Sequence, residues 1–371
     1  MPDLRTEVSE ILTGLGTMGF AEATHAVAAA PRGLVGVGPE VLERLREGLR
    51  DPKLAPLAQA AFANGAAFLV AAEGLRGRIP HRVEWKGPHK PPGYETVPAD
   101  LRIDHVFLVS CKYGSDILHN VSPAHLVDRH LAQKRGEATV DWFAALAPEA
   151  YQDLYGRSVA ATGLAGLPGS VEDLSRDDRV RLRDGLRGRS WPAGLERPYL
   201  DLVAEVSRAT AQRWMASLRT SAEREELVWR LLRLQAAPYF VLGQRRGGES
   251  LRYRVDTPWD FRRRYELLGF EAVPEDAGQA VVRWRAEVRP RPERASDDGP
   301  EPPTAGPPSR DLNVGQPSPP RLDFGSGPSE RLVVEGRVEL RWSHGRFGGN
   351  PEAKVYLTTP PHDVPGYTPL D

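Results

Sequence analysis

The sequence predicts a mixed α/β (α+β) protein, with helices at the start, strands placed among later helices, and a disordered proline-rich insertion near the end. Three observations lead there. Apolar residues recur at helical spacing through the first 78 residues. Short alternating runs appear at residues 81–86, 101–113, 239–242, 251–255 and 280–288, the pattern of strands with two unlike faces. Eleven of the 34 prolines then fall between residues 289 and 330, a segment with too few large apolar residues to offset its ordering entropy.

Composition narrows the function classes. The chain has 371 residues, with 49 basic and 50 acidic side chains, a net charge of −1. Bulk charge therefore does not draw it onto nucleic acid, and any such binding must come from local basic patches. A single cysteine excludes an internal disulfide and a cysteine-rich zinc site. No apolar run approaches the roughly 20 residues of a membrane span. The start, Met1-Pro-Asp-Leu-Arg5, lacks a signal-peptide pattern, so the expectation is a cytoplasmic protein with no membrane partner.

Taken in order, residues 1–53 read as a helical region, with Val41, Leu42, Leu45 and Leu49 on one face behind a Pro39-Glu40 start. Gly14-Leu-Gly16-Thr-Met-Gly19 matches G-x-G-x-x-G in form. The segment before it reads as helix, so a helix end and turn explain it better than a dinucleotide site. Residues 54–137 form the candidate core: an alanine-rich helix interrupted at Asn64-Gly65, a strand at 81–86, a hairpin at 100–113, and a helix opened by Ser122-Pro123. Residues 138–288 read as a helical and strand extension, its clearest helices at 199–218 and 222–234, with a further helix at 259–268. After the insertion at 289–330, strands at 331–342 and 354–357 are expected to return to the core sheet, within a last segment of 331–371.

The most informative stretch is Glu95-Thr-Val-Pro-Ala-Asp100-Leu-Arg-Ile-Asp104-His-Val-Phe-Leu-Val-Ser110-Cys-Lys112-Tyr113. Alternation puts Ser110 and Lys112 on one face of a strand and Val109 and Cys111 on the other. A reversal near Asp104-His105 brings Asp100 opposite Ser110. An acid, a hydroxyl and an ammonium then meet at a strand end, where α/β sheets place ligands. The plainer reading is a buried strand ending in an exposed lysine, with Asp100 and Asp104 forming turns.

These residues resemble the PD-(D/E)XK nuclease superfamily over roughly residues 55–133, about a fifth of the chain. Pro-Ala-Asp100 stands for the first half of the motif and Ser110-Cys-Lys112 for the second, with serine where the family has an acid. The helix–strand–hairpin–helix order agrees. The resemblance implies a restriction-endonuclease-like core sheet flanked by helices and a Mg²⁺- or Mn²⁺-dependent deoxyribonuclease, in restriction, repair or phage defence. It implies Asp100 as metal ligand, Lys112 assisting the attacking water, and Ser110 in the place of the second acid. Glu84, Glu73, Asp104 and Glu95 are the candidates to replace that acid, because hard Mg²⁺ takes oxygen ligands. The alternative is a catalytically inactive protein of this fold that binds nucleic acid or a partner protein.

Other residues suit nucleic acid. His125 and Arg129 fall at i,i+4 on the helix after the hairpin. Arg262 and Arg263 interleave with Trp259, Phe261 and Tyr265, and Arg245-Arg246 is a further basic pair. His344, Arg346 and Lys354 sit in a glycine-rich loop of a kind that approaches phosphates closely. The expected partners are DNA, with RNA as the alternative, and proteins; a dimer is compatible with all of this.

Overall fold

The computed structural model describes residues 3–87, 98–131, 140–188, 190–292 and 331–370. The chain begins with helices α1 (Leu4–Gly16) and α2 (Ala23–Ala29), a short strand β1 (Leu34–Val35), then α3 (Pro39–Arg50) and α4 (Ala55–Val70). Helix α4 runs unbroken through Asn64-Gly65, where the sequence suggests an interruption. The two residues serve packing instead. A Cβ on Gly65 would lie 2.0 Å from the Thr13 carbonyl oxygen, and one on Gly16 would lie 2.2 Å from that of Phe62. Both glycines therefore let α1 and α4 cross in near-backbone contact. Gly14 and Gly16 lie inside α1, where Gly16 serves this crossing and Gly14 makes room for Val83 and Leu101, and among the described residues no strand precedes them.

Strands β2 (Val83–Trp85), β3 (Leu101–Ile103) and β4 (Phe107–Tyr113) follow. The chain reverses at Asp104 and His105, with φ of 48° and 61°. Next come β5 (Ile117–Val121), α5 (Pro123–Val127), α6 (Trp142–Leu146), α7 (Pro148–Thr162), α8 (Arg176–Gly185), α9 (Glu196–Ser217) and α10 (Ser221–Leu231), before β6 (Tyr239–Gln244) and β7 (Ser250–Val255). Strand β6 lies parallel to β4, so residues 114–238 form the long crossover that a parallel pair requires.

The remaining elements are α11 (Pro258–Arg264), β8 (Tyr265–Asp276), β9 (Ala280–Pro290), β10 (Leu332–Arg341), β11 (Glu352–Leu357) and β12 (Tyr367–Pro369). The helix expected over 259–268 stops at Arg264, and Tyr265 onward pairs with β9 along its whole length. Pairing partners far along the chain decide this, since Leu267 and Phe270 suit either structure.

The strands form two sheets. The first has the order β1-β2-β3-β4-β6-β7-β12, and the second β5-β11-β10-β9-β8. Of the C-terminal strands only β12 joins the first sheet; β10 and β11 build the second, which alternation within each strand gave no sign of. One face of the first sheet (Val83, Val109, Leu242) packs on α1–α4 through Leu12 and Phe68. The inner face of the second packs on α9, with Trp214 edge-on to Phe270 and Trp284 fully buried. Its other face is polar. The proline-rich insertion, from residue 293 on, lies outside the described residues. Among those described, no helix is long and apolar enough to cross a membrane.

Candidate functional site

Asp100 does come to lie beside Ser110. Its backbone N–H donates to the Val109 carbonyl (2.8 Å), extending the β3–β4 ladder by one residue. Its Oδ2 accepts from the Cys111 N–H (2.7 Å) and from the Ser110 hydroxyl (3.4 Å). The carboxylate thus takes the place of the next ladder carbonyl and ends the strand pairing. Cys111 faces α1, as alternation requires, and burial pushes its thiol well above the ordinary range.

Behind the strand end, Tyr113 bonds Thr13 (2.7 Å) and Asn64 (3.2 Å). Asn64 also donates to the Gly243 carbonyl (2.8 Å) and accepts from Arg252 (2.8 Å). This polar network locks α1 and α4 onto β4, β6 and β7. It holds the end of β4 rigidly, so the lysine stem starts from a fixed backbone.

Ser110 and Lys112 line a cleft of about 550 Å³ between the two sheets. The first sheet contributes Tyr239, Val241, Leu251, Tyr253 and Tyr367. The second contributes Ile117, Leu118, Arg337, Glu339, Arg341 and Tyr356. Arg233 and the β6–β7 turn residues Arg245 and Arg246 close the rim. Six cations (Lys112, Arg233, Arg245, Arg246, Arg337, Arg341) therefore meet two carboxylates (Asp116, Glu339) on one surface. Glu339 is 5 % exposed, bridges Arg337 (3.2 Å) and Arg341 (3.5 Å), and accepts from the Tyr356 hydroxyl (3.1 Å).

The other residues singled out from sequence go elsewhere. Glu84 bonds Arg102 and Arg82, and the Arg102 hydrogen bond holds its carboxyl down at about 2. Asp104 caps the hairpin at the opposite end of β4, accepting from the Arg82 N–H (2.8 Å). Glu73 is exposed in the turn after α4, and Glu95 lies outside the described residues. His125 sits in the first turn of α5, its N–H on the Ser122 hydroxyl, and α5 ends at Val127, so the exposed Arg129 does not share a helical face with it.

Arg262 pairs with Glu225 (2.7 Å) and stacks on Trp229, and the neighbouring Arg263 is exposed. His344 and Arg346 line a separate shallow depression with Arg183 and Arg187. There Arg346 donates to the Leu186 carbonyl (2.7 Å) and lies 4.2 Å over the Trp191 ring. Lys354 stands in register with Glu339 and Asn120. Asp100 thus contacts Ser110, and Ser110 and Lys112 share the cleft, while the rest lie elsewhere.

A divalent cation of the Mg²⁺ or Mn²⁺ kind is held by several oxygen donors. Among the described residues no three His, Cys, Asp or Glu side chains converge. Among the described residues Asp100 is the carboxylate that contacts Ser110, and it accepts hydrogen bonds from Ser110 and Cys111.

Sequence reasoning missed Arg233, Arg337, Glu339, Arg341 and Tyr356. A signal existed for three of them: on β10 the apolar Val334, Val338 and Leu340 alternate with Arg337, Glu339 and Arg341. Only the partnering of the two sheets shows where that charged phase points.

No protein-family model, curated protein or solved structure matches this chain.

Proposed function

We propose that this protein binds the phosphate backbone of DNA in the cleft between its two sheets, on a restriction-endonuclease-like core whose acid set is reduced. The observation that carries the reading is the excess of cations over carboxylates on one concave surface of a chain whose net charge is −1. Lysine and arginine on a concave wall neutralise phosphates and release counterions, which supplies sequence-independent affinity. The core supports the resemblance: a helix, three antiparallel strands and a fourth parallel to the third carry Asp100, Ser110 and Lys112 at one strand end. Serine in place of the second acid suits a binder better than a hydrolase.

The test is binding of labelled DNA with and without EDTA. Affinity that survives EDTA supports this reading; no binding at low salt ends it. A second reading, metal-dependent cleavage of DNA, is favoured by the contact of Asp100 with Ser110, two residues from Lys112 on one strand. It predicts Mg²⁺- or Mn²⁺-dependent cutting that Lys112→Ala abolishes while the fold is kept. Cutting that persists in that variant removes it.

A further inference from the structure

We infer that the strand this cleft takes is unpaired DNA, with a base stacked at Tyr356. The inference rests on the reading of the cleft as a phosphate-binding surface and adds which form of DNA enters it. At about 550 Å³ the cleft lies within the roughly 300–1,000 Å³ of sites that enclose small ligands, the scale of a nucleotide or two. A duplex keeps its bases stacked inside and offers such a recess only its backbone.

Four tyrosines line the cleft, and three of them are wall. Tyr253 and Tyr367 stack on each other at 4.8 Å and 11°. Tyr239 and Tyr367 donate to the carbonyls of Arg233 and Leu232. Tyr356 differs. It is half-buried, its hydroxyl is fixed by Glu339 and Arg341, and the Arg337 guanidinium lies 5.1 Å over its ring. A planar cation on a held aromatic ring is a platform for a π-face. Every base has such a face, but only an unpaired strand leaves it available.

The charges run in the right direction to carry a single backbone past this platform. Arg341 and Arg337 flank Glu339 along one face of β10, and both pair with it. Arg283 stands directly opposite Arg337 on β9, on the same face. Like charges placed opposite one another weaken a sheet, and among the described residues Arg283 makes no salt bridge. A polyanion along this row would relieve that repulsion.

The experiment compares fluorescein-labelled oligo-dT with the same strand annealed to oligo-dA, by anisotropy at fixed salt, using the full chain. The unpaired strand is expected to bind more tightly, and duplex to displace it only at a higher concentration than unlabelled oligo-dT does. Tyr356→Leu should weaken oligo-dT binding about 5- to 150-fold, the range for loss of one stacked base, and weaken duplex binding less. Tyr356→Phe should retain the affinity. Arg337→Met, at a half-exposed position that tolerates change, should also reduce the preference for oligo-dT, which keeps the test open should Tyr356→Leu not fold. Duplex bound as tightly as oligo-dT, or a folded Tyr356→Leu that binds oligo-dT like the parent chain, overturns the inference and leaves the phosphate cleft standing. Failure of both DNA forms to bind overturns the two together.

Discussion

The salt dependence of DNA binding, measured on the parent chain and on Arg246→Ala, separates a built cleft from diffuse surface charge. Six cations and two carboxylates line the cleft, and Glu249 pairs with Arg245 (3.3 Å), which leaves an excess of three. Each phosphate neutralised on a single strand contributes about −0.7 to the slope of log K against log salt, so the parent slope should be about −2. Arg246 lies on the rim, its Nε donating to the Gly114 carbonyl (3.2 Å), with no carboxylate partner among the described residues. Removing it should cut the slope by about 0.7, and the affinity at 0.1 M salt by about fivefold, since one fewer counterion is released. Arg262→Ala is the control. Its charge is already matched by Glu225 and it lies outside the cleft, so neither slope nor affinity should move. Anisotropy titrations of labelled oligo-dT between low and physiological salt give all three slopes. A parent slope near zero, or a loss in Arg262→Ala equal to that in Arg246→Ala, would refute the placement of the binding surface.

Three further outcomes follow from the geometry. Glu339→Gln removes the one carboxylate shared by Arg337 and Arg341, so DNA binding at low salt should tighten several-fold while stability in urea falls by about 1–2 kcal/mol, the two arginines being partly solvated. His119 donates to the Arg230 carbonyl (2.7 Å), and burial holds its imidazole down at about 3. The unfolded chain binds that proton near the ordinary 6.5 and the folded chain does not. Stability from this group is therefore complete above 6.5 and lost as pH falls toward 3, by about 1 kcal/mol per pH unit. Urea midpoints between pH 7 and 5, above the range where Glu84 titrates, should show this, and His119→Gln should flatten the curve. Gly243→Ala would set a Cβ 1.9 Å from the Lys112 carbonyl oxygen, backbone that cannot yield without parting β4 from β6. A loss of about 3 kcal/mol or more in chemical denaturation is expected, and a variant as stable as the parent would show that the two strands are not so close.

Local sequence determined the parts whose cause is local. The reversal at Asp104-His105 fixes the register of β3 on β4, and strand alternation then sends Ser110 and Lys112 to one side and Val109 and Cys111 to the other. The helices now seen as α3, α9 and α10 were legible from apolar spacing for the same reason, since each buries one stripe. Tertiary structure alone decided the rest. Whether residues 265–276 continue a helix or form a strand depended on a partner, β9, that lies beyond them. The cleft exists because β10 and β11 pair with β5 and β9 rather than extending the first sheet. That choice turns Arg337, Glu339 and Arg341 toward Lys112, from more than two hundred residues away along the chain. Charge has no periodicity that announces such a meeting; it is set by which sheet edges remain to be covered once the apolar faces are buried.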